Sequence, residues 1–259
     1  MDVFELVSGA HRAYLRDAVV HAAHGLRGAP RTRRYEKLVA AMSVLGIDPA
    51  RLPPDPPLPP GGWGSLAEVI RTDRPLPEDA ASLERFHAHL LEAGAAPARE
   101  LWQLLRVKGP LLDLGGGTGA YTNAFLQENP GEQATLADKP EVLRLAKAPG
   151  ATLLPVDLLN MSVAAPVVLL ANVLHLFGPR QIARILRGID AGTLVVKDLR
   201  SDTDEGVLFA LNMALFTEEG DVHPVESIEQ WLRDAGYAQT RRHSLRTSPN
   251  SLVLTAAKP

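Results

Sequence analysis

Cysteine is absent from this chain of 259 residues. Its absence excludes disulfides, thiolate metal sites and cysteine nucleophiles together, and a cytoplasmic address is expected. Long apolar runs are missing too. None approaches the roughly 18 residues that span a bilayer, so no membrane partner is expected. The first residues, Met1-Asp-Val-Phe-Glu-Leu6, lack the basic start and apolar stretch of a secretion signal, and none is expected. Basic charge is not in excess: 27 Lys and Arg stand against 30 Asp and Glu, a formal net charge of −3. A general nucleic-acid binder carries surplus cations, so nucleic acid is not an expected partner. What is present is 46% apolar residues, enough to bury one large core, or a medium domain beside a smaller one.

The chain changes character along its length. Phe4, Val7, Ala10, Tyr14, Ala18 and Val19 recur at helical spacing, as do Leu38, Ala41, Met42 and Leu45. Residues 52–62, with six prolines and two glycines, cannot form a helix or an internal strand and read as an extended connector. Helical periodicity returns over 82–107. From Pro110 the pattern alternates. Strands are predicted at 111–114, 134–137, 152–155, 167–171 and 193–196, and helices at 118–127, 140–146, 181–187, 205–216 and 228–235. Two strand-like runs close the chain near 240–245 and 251–256. Such alternation implies an α/β fold, a mostly parallel Rossmann-like sheet with an antiparallel strand near its end. Residues 1–105 read as a helical N-terminal region and 106–259 as a cofactor-binding catalytic domain. There are no internal repeats.

In a doubly wound sheet, ligands bind at the carboxyl ends of the strands. The first strand runs directly into Gly115, Gly116, Gly117 and Gly119 and then a helix, so the backbone can turn tightly and present free N–H groups to a ligand. Gly115-x-Gly117-x-x-Ala120 also fits the dinucleotide fingerprint, which keeps NAD in consideration. Asp113 weighs against it: a carboxylate there is awkward for a pyrophosphate but suits the ammonium of a methionine moiety. Asp138 ends the next strand about 20 residues on, where an acid accepts ribose hydroxyls from either cofactor.

Asp113-Leu-Gly-Gly-Gly-Thr-Gly119, Thr135-Leu-Ala-Asp-Lys-Pro-Glu-Val-Leu143, Pro155-Val-Asp-Leu158 and Asn172-Val-Leu-His175 succeed one another in that order. Together they resemble the successive motifs of the small-molecule O-methyltransferases, which include plant caffeate-type enzymes and bacterial polyketide and antibiotic tailoring enzymes. The resemblance extends from about Ser82 to Lys258. It implies a class I methyltransferase fold and S-adenosylmethionine as cofactor, with S-adenosylhomocysteine as product. Gly115 and Gly117 then border the methionine and ribose parts, Asp138 holds the ribose, and Asp157 with Leu158 flanks the adenine. Asp113 and Asn172 complete the cofactor set.

Methyl transfer from a sulfonium is an in-line displacement. The protein aligns the acceptor and, for a weakly acidic hydroxyl, removes its proton. His175 comes after the fourth strand at the resembled family's catalytic-base position, and an imidazole with an intrinsic pKa near ~6.5 suits the task. Asp198 matches the acid that orients that histidine, in the manner of a triad. The surroundings depart from the family. Leu176-Phe177-Gly178-Pro179 replaces an Asp-Trp and a further acid, and a second supporting acid is missing or replaced by His223. Phe209, Asn212, Met213 and Phe216 recur on one helix face that lines the acceptor pocket in the family. Phe86 and His89 are further pocket candidates. His87 and His89, two residues apart, fall on different faces of a helix, and no metal site is expected. Arg31, Arg33, Arg34 and Lys37 form a small basic cluster, read as a solvated face or an inter-helix contact.

The leading expectation is O-methylation of an aromatic or polyketide-like small molecule, with His175 as base. Three alternatives stay open. One sends the methyl to nitrogen, carbon or a carboxylate, the last needing no base. Another is a fold that binds S-adenosylmethionine without methylating. An interaction or DNA-binding protein is the third, against which the mild acidity stands. Relatives carry a longer helical N-terminal region that swaps helices into a dimer, so a homodimer built by helices at 4–20 and 35–45 is expected.

Overall fold

The computed structural model describes residues 9–26, 28–29, 31–57, 62–77 and 80–258, with the side chains of 9–11 and 80–89 excepted. In chain order its helices are α1 (Gly9–Gly25), α2 (Arg33–Val44), α3 (Leu66–Thr72), α4 (Ala80–Leu105), α5 (Ala120–Glu128), α6 (Pro140–Leu143), α7 (Pro179–Arg187), α8 (Asp204–Phe216) and α9 (Val225–Asp234). Its strands are β1 (Leu111–Leu114), β2 (Ala134–Asp138), β3 (Thr152–Pro155), β4 (Val163–Ala171), β5 (Ile189–Leu199), β6 (Gln239–His243) and β7 (Ser251–Ala257). Among the described residues no helix is long and apolar enough to cross a membrane.

The strands form one sheet in the order β3-β2-β1-β4-β5-β7-β6. The pairs β2–β3, β1–β2, β1–β4 and β4–β5 are parallel, and β7 runs antiparallel between β5 and β6. The order reverses between β1 and β4, which puts the glycine loop at the switch point where such sheets bind ligands. Period-two alternation divides the strand side chains between two cores. Leu112, Leu114, Val168, Leu170, Leu194 and Val196 pack against Ile182 and Ile185 of α7 and Ile228 and Leu232 of α9. Leu111, Val167, Leu169, Val195 and Val253 pack against Leu101 and Trp102 of α4 and Tyr121 and Phe125 of α5. Trp102 is 2% exposed, meets Phe125 edge-on at 5.0 Å, and donates its indole N–H to the carbonyl of Tyr121 at 2.8 Å. Such a buried aromatic contributes about 1.5–3 kcal/mol.

Two compact units result, and they do not respect a single cut at residue 105. The described residues of Asp79–Arg200 and His223–Pro259 form the sheet unit; those of Met1–Glu78 and Ser201–Val222 form a helical unit. The reason is packing. The C-terminal half of α4 buries its apolar face on α5, whereas Leu208, Leu211 and Leu215 of α8 join Leu15, Val19, Leu38, Met42, Trp63 and Leu66. A helix inserted between β5 and β7 thus completes the N-terminal core.

The basic cluster is an inter-helix contact within the helical unit. Arg34, 1% exposed, donates to the carbonyls of Ala214, Thr217 and Glu218 and to Asp73. Arg33 donates to the carbonyls of Glu218, Glu219 and Gly220, and Lys37 pairs with Asp221. Arg34 thus satisfies the carbonyl end of α8, where the helix dipole favours a cation, and Arg33 and Lys37 hold the segment that follows it.

Several predicted boundaries shift. The helix expected from Phe4 is described from Gly9, since residues 1–8 lie outside the described residues. The helix after Pro140 stops at Leu143 rather than 146, and Lys147 N–H donates instead to Thr118 O at 2.9 Å, tying the segment to the glycine loop. The last helix starts at Val225, directly after Pro224, not at 228. β5 covers eleven residues where four were predicted, because its ladder with β4 continues through Asp190 and Lys197, polar positions that broke the apolar pattern. The connector is extended over the described residues 52–57.

Candidate active site

β1 is buried throughout and ends in a loop whose glycines have φ of +71° (Gly115), +58° (Gly117) and +94° (Gly119). Side chains at two of them would collide. A Cβ on Gly115 would lie 2.7 Å from Val173, and one on Gly119 would lie 2.7 Å from Ala148. Gly119 caps α5 with no side-chain hydrogen bond of its own, and the N–H of Thr122 in the first turn is turned toward the Asp113 carboxyl.

Asp113 lies at 0% exposure beneath this loop. Thr122 Oγ1 donates to its Oδ2 at 2.6 Å. Its Oδ1 is buried with no hydrogen-bond partner. Burial pushes the carboxyl up to about 7, helped by repulsion from Asp138 and opposed by the Thr122 hydrogen bond. A buried carboxylate oxygen lacking a donor is costly in isolation and fits a ligand that brings a cationic N–H.

The neighbouring strand ends supply the other acids. Asp138, at the end of β2, accepts Gly117 N–H at 2.9 Å through Oδ2 and Lys139 N–H at 2.7 Å through Oδ1. Each oxygen keeps a second lone pair for hydroxyl donors. Asp157, exposed after β3, is held below the usual carboxylate range by Asn160 and by Leu159 N–H. Leu158 is half-buried and borders the position of Gly115. Asn172, just past β4, has φ +58° and accepts from Lys197 Nζ at 2.7 Å.

His175 sits next on a short 3-10 turn, Leu174–Leu176. Asp198 near the end of β5 grips it twice: His175 N–H donates to Oδ2 at 3.1 Å, and Nδ1 lies 2.6 Å from Oδ1. The two residues are 5% and 3% exposed. Burial resists ionisation of Asp198, yet the charge and hydrogen bond of His175, with Leu199 N–H, outweigh it and hold the carboxyl below its ordinary value. A carboxylate at Nδ1 fixes the tautomer with hydrogen on Nδ1, so proton removal from an acceptor falls to Nε2.

One end of the sheet thus brings together Asp113, Gly115, Gly117, Asp138, Asp157, Leu158, Asn172, His175 and Asp198. His223 lies beside the same segment, its Nε2 bonded to Phe177 O at 2.9 Å and its ring edge-on to Trp231. Leu176, at the position of the replaced acid, is 44% exposed. Phe209, Asn212, Met213 and Phe216 belong to α8 in the helical unit; the first three are buried and Phe216 is 44% exposed. The side chains of Phe86 and His89 lie outside the described residues. A cavity of about 230 Å³ in the helical unit is bordered by Lys37, Ala40, Gly206 and Ala210, none of them among the expected acceptor residues. Sequence reasoning missed Thr122 and Lys197. A threonine in the first turn after a glycine loop carries no signal of its own, whereas a lysine closing an apolar strand run was a visible break in pattern.

Comparison with known proteins places this geometry. A family model described as an O-methyltransferase domain matches residues 99–238, more than half of the chain. The 3-hydroxy-5-methyl-1-naphthoate 3-O-methyltransferase of Streptomyces sahachiroi is 27% identical over 212 residues, which cover 70% of this chain. The matched region spans 61% of that enzyme's length. An O-methyltransferase family 2 protein from Planctomyces limnophilus, solved in complex with apigenin, superposes with a TM-score of 0.69 at 21% identity, covering 96% of this chain and 94% of that one. Human N-acetylserotonin methyltransferase in complex with S-adenosylmethionine gives 0.64 at 20% identity, covering 98% and 68%. At these identities the two structures establish the class I methyltransferase fold.

Proposed function

The chain belongs to the O-methyltransferase domain family, and on that premise we propose that it methylates a hydroxyl of a small aromatic or polyketide-like molecule using S-adenosylmethionine. The observation that carries this reading is the buried His175–Asp198 pair at the ends of β4 and β5, beside the glycine loop and its orphaned Asp113 oxygen. The naphthoate named for the Streptomyces relative and the apigenin bound to the Planctomyces protein support an aromatic acceptor.

S-adenosylmethionine, when bound, supplies a methyl group activated by its sulfonium. The chain's residues do the rest. Asp113 Oδ1 would hold the ammonium of the methionine moiety, whose N–H would supply its missing donor. The lone pairs of Asp138 would accept the ribose hydroxyls, Asn172 at the end of β4 would border the cofactor, and Asp157 and Leu158 would flank the adenine. Gly115 and Gly117, which carry no side chain, would let the backbone approach the methionine and ribose parts closely. His175 Nε2 removes the acceptor's proton, and Asp198 stabilises the resulting imidazolium. Phe209, Asn212, Met213 and Phe216, with Phe86, His89 and His223, are proposed to select the acceptor. The active species is proposed to be a cytoplasmic homodimer joined through its N-terminal helices.

A carboxylate acceptor is the second reading, favoured by Leu176 standing where the resembled family has an acid. The experiment is a screen of phenols and aromatic acids with S-adenosylmethionine, read by mass for the gain of one methylene unit. It is repeated with the His175→Ala variant. Loss of phenol methylation in the variant supports the base. Undiminished turnover on an aromatic acid selects the second reading, and binding of NAD in preference to S-adenosylmethionine overturns both.

A further inference from the structure

Lys197 is a charged residue that the glycine motif and the His–Asp pair leave without a role. It stands on β5 immediately before Asp198 and is 4% exposed. Alternation along the strand puts it on the side of Val195 and Val253, and Asp198 on the opposite side. Burial pushes its ammonium down to about 8, with the nearby Asp198 charge opposing. A lysine in such a place is expensive, and an apolar side chain fills a strand position at less cost.

What the lysine holds accounts for it. Ala171 and Lys197 are register partners across β4 and β5, and the next residue, Asn172, is fastened twice. Its N–H donates to Lys197 O at 2.7 Å, and its Oδ1 accepts from Lys197 Nζ at 2.7 Å. Asn172 has the left-handed φ of +58°, a region that asparagine enters more readily than other residues with a Cβ and that the two contacts hold in place. Two residues later begins the turn that carries His175. Asp198 faces His175 from β5, and Tyr121 of α5 stands within electrostatic reach of Asp113 and Asp198.

We propose that Lys197 is a positioning residue for His175: by gripping Asn172 it fixes the left-handed bend between β4 and the His175 turn, and so sets the imidazole against Asp198. The proposal rests on the reading of His175 as the base, but its test does not depend on turnover alone. Nitrogen NMR of the imidazole in the full chain reports the tautomer and titration of His175 with neither cofactor nor acceptor present. Two variants break the grip. Lys197→Met removes the donor. Asn172→Gly removes the acceptor while glycine takes a positive φ without strain.

In both variants the Nδ1–H tautomer of His175 is expected to lose its dominance, and kcat to fall roughly 10- to 100-fold, the scale of a misplaced catalytic group, while in Lys197→Met KM for S-adenosylmethionine changes little. The double variant is expected to lose no more than the worse single one, because both break one contact. Wild-type imidazole spectra in both variants overturn the proposal, and so does a loss of thermal stability alone. Should Lys197→Met fail to fold, Asn172→Gly carries the same test. Full turnover by His175→Ala defeats the base reading separately, and the imidazole spectra still decide whether Lys197 sets the ring.

Discussion

A histidine whose Nδ1 lies 2.6 Å from a buried carboxylate has one nitrogen for orientation and one for chemistry. Replacing Asp198 by Asn keeps the shape but removes the charge that stabilises the imidazolium. The expected cost is roughly 10²- to 10⁴-fold in kcat on a phenolic acceptor, with S-adenosylmethionine binding by calorimetry unchanged. Asp113 yields a prediction of opposite character. Its carboxyl is held up to about 7 in the fold, against about 4 in an unfolded chain. Between these values the folded state holds more protons than the unfolded one, so stability present at low pH is lost as pH rises toward 7. In the absence of cofactor, the wild type should therefore lose thermal stability from pH 5 to 7 relative to Asp113→Asn, as differential scanning fluorimetry can track. The same variant should bind S-adenosylmethionine roughly 10- to 100-fold more weakly at pH 8, the worth of one charged hydrogen bond. Equal affinity would remove Asp113 from the cofactor site.

At the scale of elements, the glycine loop and α8 are held by different physics. Gly119 combines φ +94° with a would-be Cβ 2.7 Å from Ala148 and 2.9 Å from Leu136. Gly119→Ala must shift the loop against the segment after α6, and loss of measurable cofactor binding is expected; near-native affinity would show that the loop does not form the cradle. The helix α8 depends on Arg34, whose guanidinium satisfies three carbonyls at or just beyond its C-terminal end. Arg34→Met removes the guanidinium from the carbonyls of Ala214 and Thr217, while Glu218 O keeps Arg33, and should cost about 2–4 kcal/mol in urea unfolding. A change below about 1 kcal/mol would mean that water satisfies them, as at an ordinary exposed helix end. The strand and helix order was legible because periodicity and turn residues are local properties. Helix ends were less so. Pro140 opens α6 as expected, but a contact with Thr118, far along the chain, takes over where the helix stops.

For the whole molecule, the proposed homodimer predicts a mass by light scattering of twice the 27.9 kDa chain; a monomer that methylates its acceptor would refute the oligomeric assignment and leave the chemistry untouched. The division into units was the least legible feature. Nothing in the composition of 204–216 says that this helix belongs with residues nearly 200 positions earlier, because an all-round apolar helix fits any core and only complementary packing decides which. Asp138 was readable because it ends an apolar strand run, and Asp157 and His175 because the segments around them resemble the family's successive motifs. Sequence alone determined the α/β alternation and the glycine loop, both expressed in residue type and spacing, while the pairing of His175 with Asp198 was implied by the resemblance to the methyltransferase family. Tertiary structure alone decided that Asp113 keeps one oxygen without a donor, that Lys197 is buried on Asn172, and that α8 completes the N-terminal core. Those facts depend on which surfaces exclude water from one another, and no local pattern encodes that.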